Sequence, residues 1–151
     1  MKMKYLLPLT IVTGLATSFL AGCGNSGNAS MTSQNQQTAP QPFTGQIVEV
    51  KMRGTAQGYK FEPAQIVIQS GDKVRFTIVD GGPHNVNFTG QRVPPGAAMI
   101  LQNRGKLLGT NLVAPGQTCE IEFTKDMPIG EYDFVCDAHA ALGMRGKIIV
   151  N

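Results

Sequence analysis

The chain has 151 residues, enough for one sizeable domain, and its 13 basic and 10 acidic side chains give a net charge of +3. A nucleic-acid-binding protein usually presents a clustered basic face, and no such cluster occurs in this sequence, so we exclude that class. Lys2 and Lys4 carry most of the excess charge: from residue 23 onward, 11 basic and 10 acidic residues remain, a net charge of +1.

Residues 1–22 predict a signal peptide. Lys2 and Lys4 give a basic start, an uncharged and mostly apolar stretch follows, and small residues precede Cys23. The apolar stretch is short for a membrane-spanning helix, which needs about 20 apolar residues. Leu-Ala-Gly-Cys at residues 20–23 resembles the lipobox of bacterial lipoproteins, which implies that Cys23 is lipidated and anchors the mature chain to a membrane. An ordinary secretory signal, in which Cys23 has no role, is the alternative.

The expected location follows from this signal. We expect an exported, lipid-anchored protein in the periplasm or on the outer face of a membrane. Gly24 follows Cys23 where an Asp would resemble an inner-membrane retention signal, so the outer membrane is expected if the source is Gram-negative. Residues 23–42 are uncharged and rich in Ser, Asn, Gln and Gly, which predicts a flexible polar tether. The folded domain is then expected over residues 43–151.

From residue 43 onward, short runs alternate between apolar and polar residues. The clearest runs are residues 73–79, 117–124, 131–136 and 146–150. A period of two predicts half-buried strands, and Gly- and Pro-containing turns separate these runs. Many short strands with such turns predict a β-sandwich or barrel. The alternation is broken between residues 96 and 106, where we predict at most one short helix, at residues 97–102.

Two separated segments hold side chains that suit a metal. His84 lies in the first, while Cys136, His139 and Met144 lie in the second, and the chain has no other histidine. The predicted strands aim His84 and Cys136 into the core. Two imidazoles, one thiolate and one thioether suit a copper ion that cycles between Cu(I) and Cu(II). Zinc also accepts nitrogen and sulfur ligands, but the thioether favours copper.

These segments resemble the cupredoxins, and within them the plastocyanin and pseudoazurin group. The resemblance rests on the spacing Cys-x2-His-x4-Met from Cys136, on Pro-His-Asn-Val at residues 83–86, and on residues 61–63 and 71–74. It covers residues 46–151 and implies an all-β, cupredoxin-like Greek-key sandwich or barrel. It further implies that one type 1 copper ion is bound by His84, Cys136, His139 and Met144.

The resemblance also assigns roles around the copper ion. Asn85 would tie the two ligand segments together by hydrogen bonds, as groups behind a metal's ligands often do. An apolar docking patch for redox partners is expected around His139. Its members are Gly82, Pro83, Ala140, Ala141 and Leu142. Val135 stands where plant plastocyanins have an aromatic residue linked to an acidic docking site, so we do not expect that second site.

The function implied is that of a blue copper protein that carries single electrons between redox partners in the cell envelope. We expect no enzymatic activity, because no further histidines exist to build an open or second metal site. Copper storage, delivery or sensing is the alternative, although the methionines are scattered rather than clustered. We expect a monomer that meets a donor and an acceptor at the patch and the membrane through Cys23. Cys119, which alternates with Ile121 and Phe123, is expected in the core.

Overall fold

The computed structural model describes residues 45–151. The predicted signal peptide (1–22), the lipidation site Cys23 and the tether (23–42) lie outside the described residues. Within residues 45–151, neither the α-helix nor any other helical stretch has the length and apolarity to cross a bilayer.

Two mixed β-sheets form the domain. The strands are β1 (Ile47–Thr55), β2 (Gly58–Glu62), β3 (Gln65–Ile68), β4 (Lys73–Ile78), β5 (Thr118–Glu122), β6 (Gly130–Val135) and β7 (Arg145–Val150). One sheet has the order β2-β1-β4-β5 and the other β3-β7-β6. The pairs β1–β4 and β3–β7 are parallel, and the remaining pairs are antiparallel. The predicted all-β, two-sheet fold with one short helix is therefore confirmed.

The alternation of apolar residues places the core as predicted. In β4, Val74, Phe76 and Ile78 are buried, whereas the residues between them are only half-buried. In β6 the ring of Phe134 packs edge to face with Phe61 and with Phe76, so side chains of both sheets meet in one core. Phe134, which belongs to this aromatic cluster, lies near the end of β6 and two residues before Cys136.

The predicted helix is present as α1, which spans Ala97–Asn103. It begins after Gly96, whose φ of 84° lies in the left-handed region that glycine adopts without steric cost. Ala97 and Leu101 are its buried residues, and their spacing of four places them on one face.

The prediction that a strand begins at His84 is wrong. Residues 84–88 are all buried instead of alternating, and they pair through isolated bridges of His84 with Leu112 and of Asn87 with Leu108 and with Val135. The physical reason is that Asn85 and Asn87 direct their amides to Asp137 and do not face solvent. His84 nevertheless points inward, as predicted.

Two further details go beyond the sequence pattern. The segment that joins β6 to β7 contains a 3-10 helix at Asp137–Leu142. Cys119 was expected in the core, and it is partly buried, packed against the core rather than within it.

Candidate metal centre

Three donor atoms from the two ligand segments converge at one end of the domain. The Sγ atom of Cys136 lies 3.4 Å from Nδ1 of His139 and 3.8 Å from Nδ1 of His84. One donor atom from each of these residues fits within 4.8 Å of the others, and all three side chains are buried. Side chains 52 positions apart in the sequence are thus brought within reach of a single ion.

The loop that carries Cys136, His139 and Met144 is closed by its own backbone. The N–H of His139 donates to the Cys136 carbonyl at 3.0 Å, and the N–H of Met144 donates to the His139 carbonyl at 3.1 Å. The N–H of Cys136 in turn donates to the Met144 carbonyl at 3.1 Å. Gly143, with φ of 86°, makes the turn before Met144, whose side chain is fully buried. These three hydrogen bonds fix the three candidate ligands relative to one another.

The orientation of His84 is set by a backbone carbonyl. Its Nε2 atom lies 2.9 Å from the carbonyl oxygen of Asp80. A carbonyl oxygen can only accept, so Nε2 carries the proton and Nδ1 keeps a free lone pair that faces Cys136. The same carbonyl accepts a hydrogen bond from the N–H of Gly54 at 3.2 Å, which ties the loop before His84 to β1. A partner of this kind holds a metal-binding imidazole in one tautomer and one orientation.

The ring of His139 is enclosed differently. Its Nδ1 faces Cys136, and one face of the ring stacks on Tyr59 of β2. Within residues 45–151, Nε2 of His139 has no hydrogen-bond partner. Every fully buried side-chain nitrogen or oxygen atom in these residues has such a partner, so Nε2 must reach the surface. Burial lowers the pKa of His139, and the neighbouring His84 ring lowers it further. Both effects favour the neutral imidazole, the form that binds a metal.

Hydrogen bonds from Asn85 join the two ligand segments. Its Oδ1 accepts from the backbone N–H of Asp137 at 2.8 Å, and its Nδ2 donates to the Asp137 carboxylate at 2.7 Å. Sequence reasoning had singled out Asn85 but not Tyr59, Asp80, Asn87 or Asp137. The adjacency of Asp137 to Cys136 and the repeat Asn-Val-Asn after His84 were the signals available for two of them. Stacking of Tyr59 depends on strand pairing and had no local signal.

Most residues of the predicted patch lie at the surface. Gly82, Pro83, Ala141 and Leu142 are exposed, and Ala140 is half-buried. Leu142 has an exposed fraction of 62% and Val113, outside the predicted set, one of 67%. A Cβ on Gly82 would lie 3.6 Å from the Val113 carbonyl oxygen, so Val113 borders the patch.

The donor set fits a copper ion better than other metals. Two imidazole nitrogens and one cysteine sulfur converge, and a buried methionine belongs to the same closed loop. Soft sulfur ligands combined with two imidazoles are typical of type 1 copper sites, with methionine as the weak axial ligand. A two-sheet β domain with this donor set defines a type 1 copper protein, a cupredoxin.

Comparison with known proteins identifies the family. Residues 48–151 match the family model described as copper binding proteins, plastocyanin/azurin family. The chain belongs to this plastocyanin/azurin family, and it is a type 1 copper protein that carries electrons with one copper ion.

Individual relatives agree with this assignment. The chain is 32% identical to a plastocyanin of Synechococcus sp. (strain JA-2-3B'a(2-13)) over 151 residues, which cover 99% of this chain and 93% of the relative. It is 36% identical to the plastocyanin of Sambucus nigra over 106 residues, 69% of this chain and all of the relative.

Solved structures are similar as well. A mutant fern plastocyanin matches with a TM-score of 0.53 and 26% identity, covering 69% of this chain and all of the fern protein. The pseudoazurin of Methylobacterium extorquens AM1 matches with a TM-score of 0.50 and 27% identity, covering 70% of this chain and 75% of the pseudoazurin.

Proposed function

We propose that His84, Cys136, His139 and Met144 are the copper ligands of this electron carrier. The observation that carries the assignment is the convergence of the Cys136 sulfur with two imidazole nitrogens at 3.4 and 3.8 Å. The hydrogen bond of His84 to the Asp80 carbonyl supports it, because it leaves the nitrogen that faces Cys136 free to bind.

The residues around the proposed ligands suit electron transfer, a reaction in which no covalent bond is made or broken. Copper, when bound, supplies a one-electron couple. The chain holds the ligands through three backbone hydrogen bonds in the loop and through Asn85 behind it, so little rearrangement is needed when the charge changes. Rigid support of this kind favours fast exchange. We also propose that the protein is not an enzyme, because the four proposed ligands would complete a type 1 site and leave no position for a substrate.

Electrons would enter and leave at the patch around His139. His139 combines a nitrogen next to the Cys136 sulfur with an opposite edge that reaches the surface. The exposed apolar residues beside that edge, Leu142 above all, would be covered by a docked redox partner. Little long-range steering is expected, because the chain from residue 23 onward carries a net charge of only +1.

We further propose that the carrier works outside the cytoplasm, held at a membrane by lipidated Cys23 and acting as a monomer. The basic and apolar start of the chain and the lipobox-like residues 20–23 support this location. Electrospray mass spectrometry of the protein extracted from membranes tests it. The expected result is a chain that starts at Cys23 with the added mass of lipid; an unmodified chain would remove the anchor.

Copper addition tests the ligand assignment. Purified protein titrated with Cu(II) is expected to bind one ion, turn intensely blue and lose the colour on reduction. Cys136→Ser is expected to abolish the blue colour, while Cys119→Ser, which changes the other described thiol, is expected to keep it. A colourless wild type would contradict the assignment. Rapid stripping of the copper by a chelator would favour copper storage or delivery instead of electron transfer.

A further inference from the structure

An acidic side chain next to the copper cysteine is held by two buried amides. One oxygen of the Asp137 carboxylate accepts from Nδ2 of Asn85 at 2.7 Å, and the other accepts from Nδ2 of Asn87 at 2.6 Å. Asn85 and Asn87 have exposed fractions of only 3% and 7%. The carboxylate therefore closes a connection between the segment that carries His84 and the residue that follows Cys136.

We propose that Asn87 and Asp137 are positioning residues of the copper centre: Asn87 fixes the start of the ligand loop, and the Asp137 charge lowers the reduction potential. This inference rests on the proposed ligand assignment. Neither residue is among those that the sequence motifs single out, and neither is a ligand.

Asn87 cannot turn away from Asp137 without losing other bonds. Its N–H donates to the Val135 carbonyl at 2.9 Å, and its own carbonyl accepts from the Val135 N–H at 3.0 Å. Its Oδ1 accepts from the N–H of Thr89 at 2.7 Å, which fixes the amide so that Nδ2 must point at Asp137. Val135 directly precedes Cys136 and Asp137 directly follows it, so Asn87 is hydrogen-bonded to the residues on both sides of the copper cysteine.

The charge of Asp137 is not cancelled by a paired cation. Within residues 45–151, Asp137 forms no salt bridge, and the side-chain donors to its carboxylate are neutral amides. By contrast, Asp133, four positions earlier in the chain, pairs with Arg92 and with Lys147. A fixed negative charge close to the metal stabilises the more positive oxidised ion over the reduced one, so it lowers the reduction potential.

Redox titration of two matched variants tests the charge. Asp137→Asn is expected to shift electron exchange with a mediator toward the reduced protein by about fivefold, or about 40 mV, since tenfold is 59 mV for one electron. Asp133→Asn removes an equal charge three strand residues, about 10 Å, before Cys136, which is about one Debye length, so it is expected to shift the same equilibrium by less than about twofold. Equal shifts in the two variants, or no shift in Asp137→Asn, would overturn the role of the charge.

A third variant tests whether Asn87 holds the ligand loop in place. Asn87→Leu keeps a similar volume but removes the donor to Asp137, so the ligand loop is expected to loosen. We expect a displaced blue absorption band and a copper release rate to a Cu(I) chelator at least about threefold faster than in wild type. A lower melting temperature with unchanged band, potential and release rate would reduce Asn87 to a scaffold residue and overturn the proposal.

The controls separate this inference from the ligand assignment. If Asn87→Leu does not fold, Asn87→Ser, which is shorter and introduces no apolar bulk, takes its place with the same readouts. A wild type that stays colourless with Cu(II) contradicts the ligand assignment itself. A blue wild type with unchanged Asp137 and Asn87 variants contradicts only the positioning role.

Discussion

The ring of Tyr59 lies flat on the imidazole of His139, with ring centroids 3.7 Å apart and ring planes within 8° of parallel. Tyr59 is paired across β1 and β2 with Gly54, and a Cβ on Gly54 would come within 2.5 Å of the tyrosine ring. Gly54 also donates to the Asp80 carbonyl that holds His84. One cross-strand pair thus supports both imidazoles, one by stacking and the other by hydrogen bonding.

Loss of this stacking should loosen the copper site. Tyr59→Leu keeps an apolar side chain but removes the aromatic face, whereas Tyr59→Phe keeps it. Because an aromatic pair contributes about 0.5–1.5 kcal/mol beyond its buried area, we expect Tyr59→Leu to speed copper removal by a chelator about two- to tenfold. Stopped-flow decay of the blue colour measures the rate. Equal rates in the two variants would show that the stacked ring does not hold His139.

Electron exchange should depend on the apolar patch. Leu142→Glu places a charge in the proposed docking patch, and since burying a leucine contributes about 1.5–3 kcal/mol, we expect exchange with a redox partner to slow at least about tenfold. The blue spectrum should stay unchanged. Ile129→Glu is the matched control, because Ile129 is similarly exposed, at 68%, and is not a patch residue. Equal slowing in both variants would show that redox partners do not dock at the patch.

Gly146 leaves room for a core aromatic ring. A Cβ at this position would lie 2.3 Å from the Phe134 ring, so Gly146→Ala must displace a ring packed on all sides. Overpacking of this kind costs about 1–3 kcal/mol, and we expect the free energy of unfolding in urea to fall by that amount. At Gly82 the nearest atom to an added Cβ is 3.4 Å away, so Gly82→Ala should leave stability nearly unchanged. An unchanged free energy of unfolding in Gly146→Ala would mean that the Phe134 ring can move aside without cost.

Cys119 should make stability depend on alkaline pH. Burial raises the pKa of its thiol from its ordinary value of 9.0 to about 11. The unfolded chain therefore loses this proton first, and the stability contributed by the thiol should decline as pH rises from about 9 to 11. Urea unfolding at a series of pH values measures the decline, and Cys119→Ala should make it shallower. An identical pH dependence in both proteins would contradict the shift.

The raised pKa of Cys119 also predicts that its thiol is alkylated slowly. At pH 8 the thiolate fraction of Cys119 should be about a hundredfold lower than that of a thiol with a pKa of 9.0. Alkylation by iodoacetamide in a background with both Cys23→Ser and Cys136→Ser isolates this residue. Rapid labelling of the folded protein at pH 8 would show an accessible thiolate and contradict the expectation.

The two-sheet fold was predictable from local alternation, and the three converging donors were predictable from that alternation together with the resemblance of the ligand segments to the cupredoxins. Alternation in β4 and β6 fixed which side chains are buried, and it aimed Cys136 into the core at a strand end. The same reasoning failed for residues 84–88, because a strand pattern assumes that Asn85 and Asn87 face solvent. Their partner, Asp137, is about 50 residues away, and no local pattern reports such a pairing.

Other parts of the site depend on distances that a sequence does not contain. The stacking of Tyr59 on His139 follows from the register of β1 and β2 and from the space that Gly54 leaves. The bond of His84 to the Asp80 carbonyl depends on a backbone group, which every residue possesses. Such contacts become visible only once the chain is folded.

The hydrogen bond from His84 to Asp80 bears on what moves when the charge of a bound ion changes. A main-chain oxygen cannot swing away on a side-chain bond, so it holds the Nε2 edge of the ring in place and keeps Nδ1 turned toward Cys136. At this ligand an electron could arrive or leave without the ring having to turn.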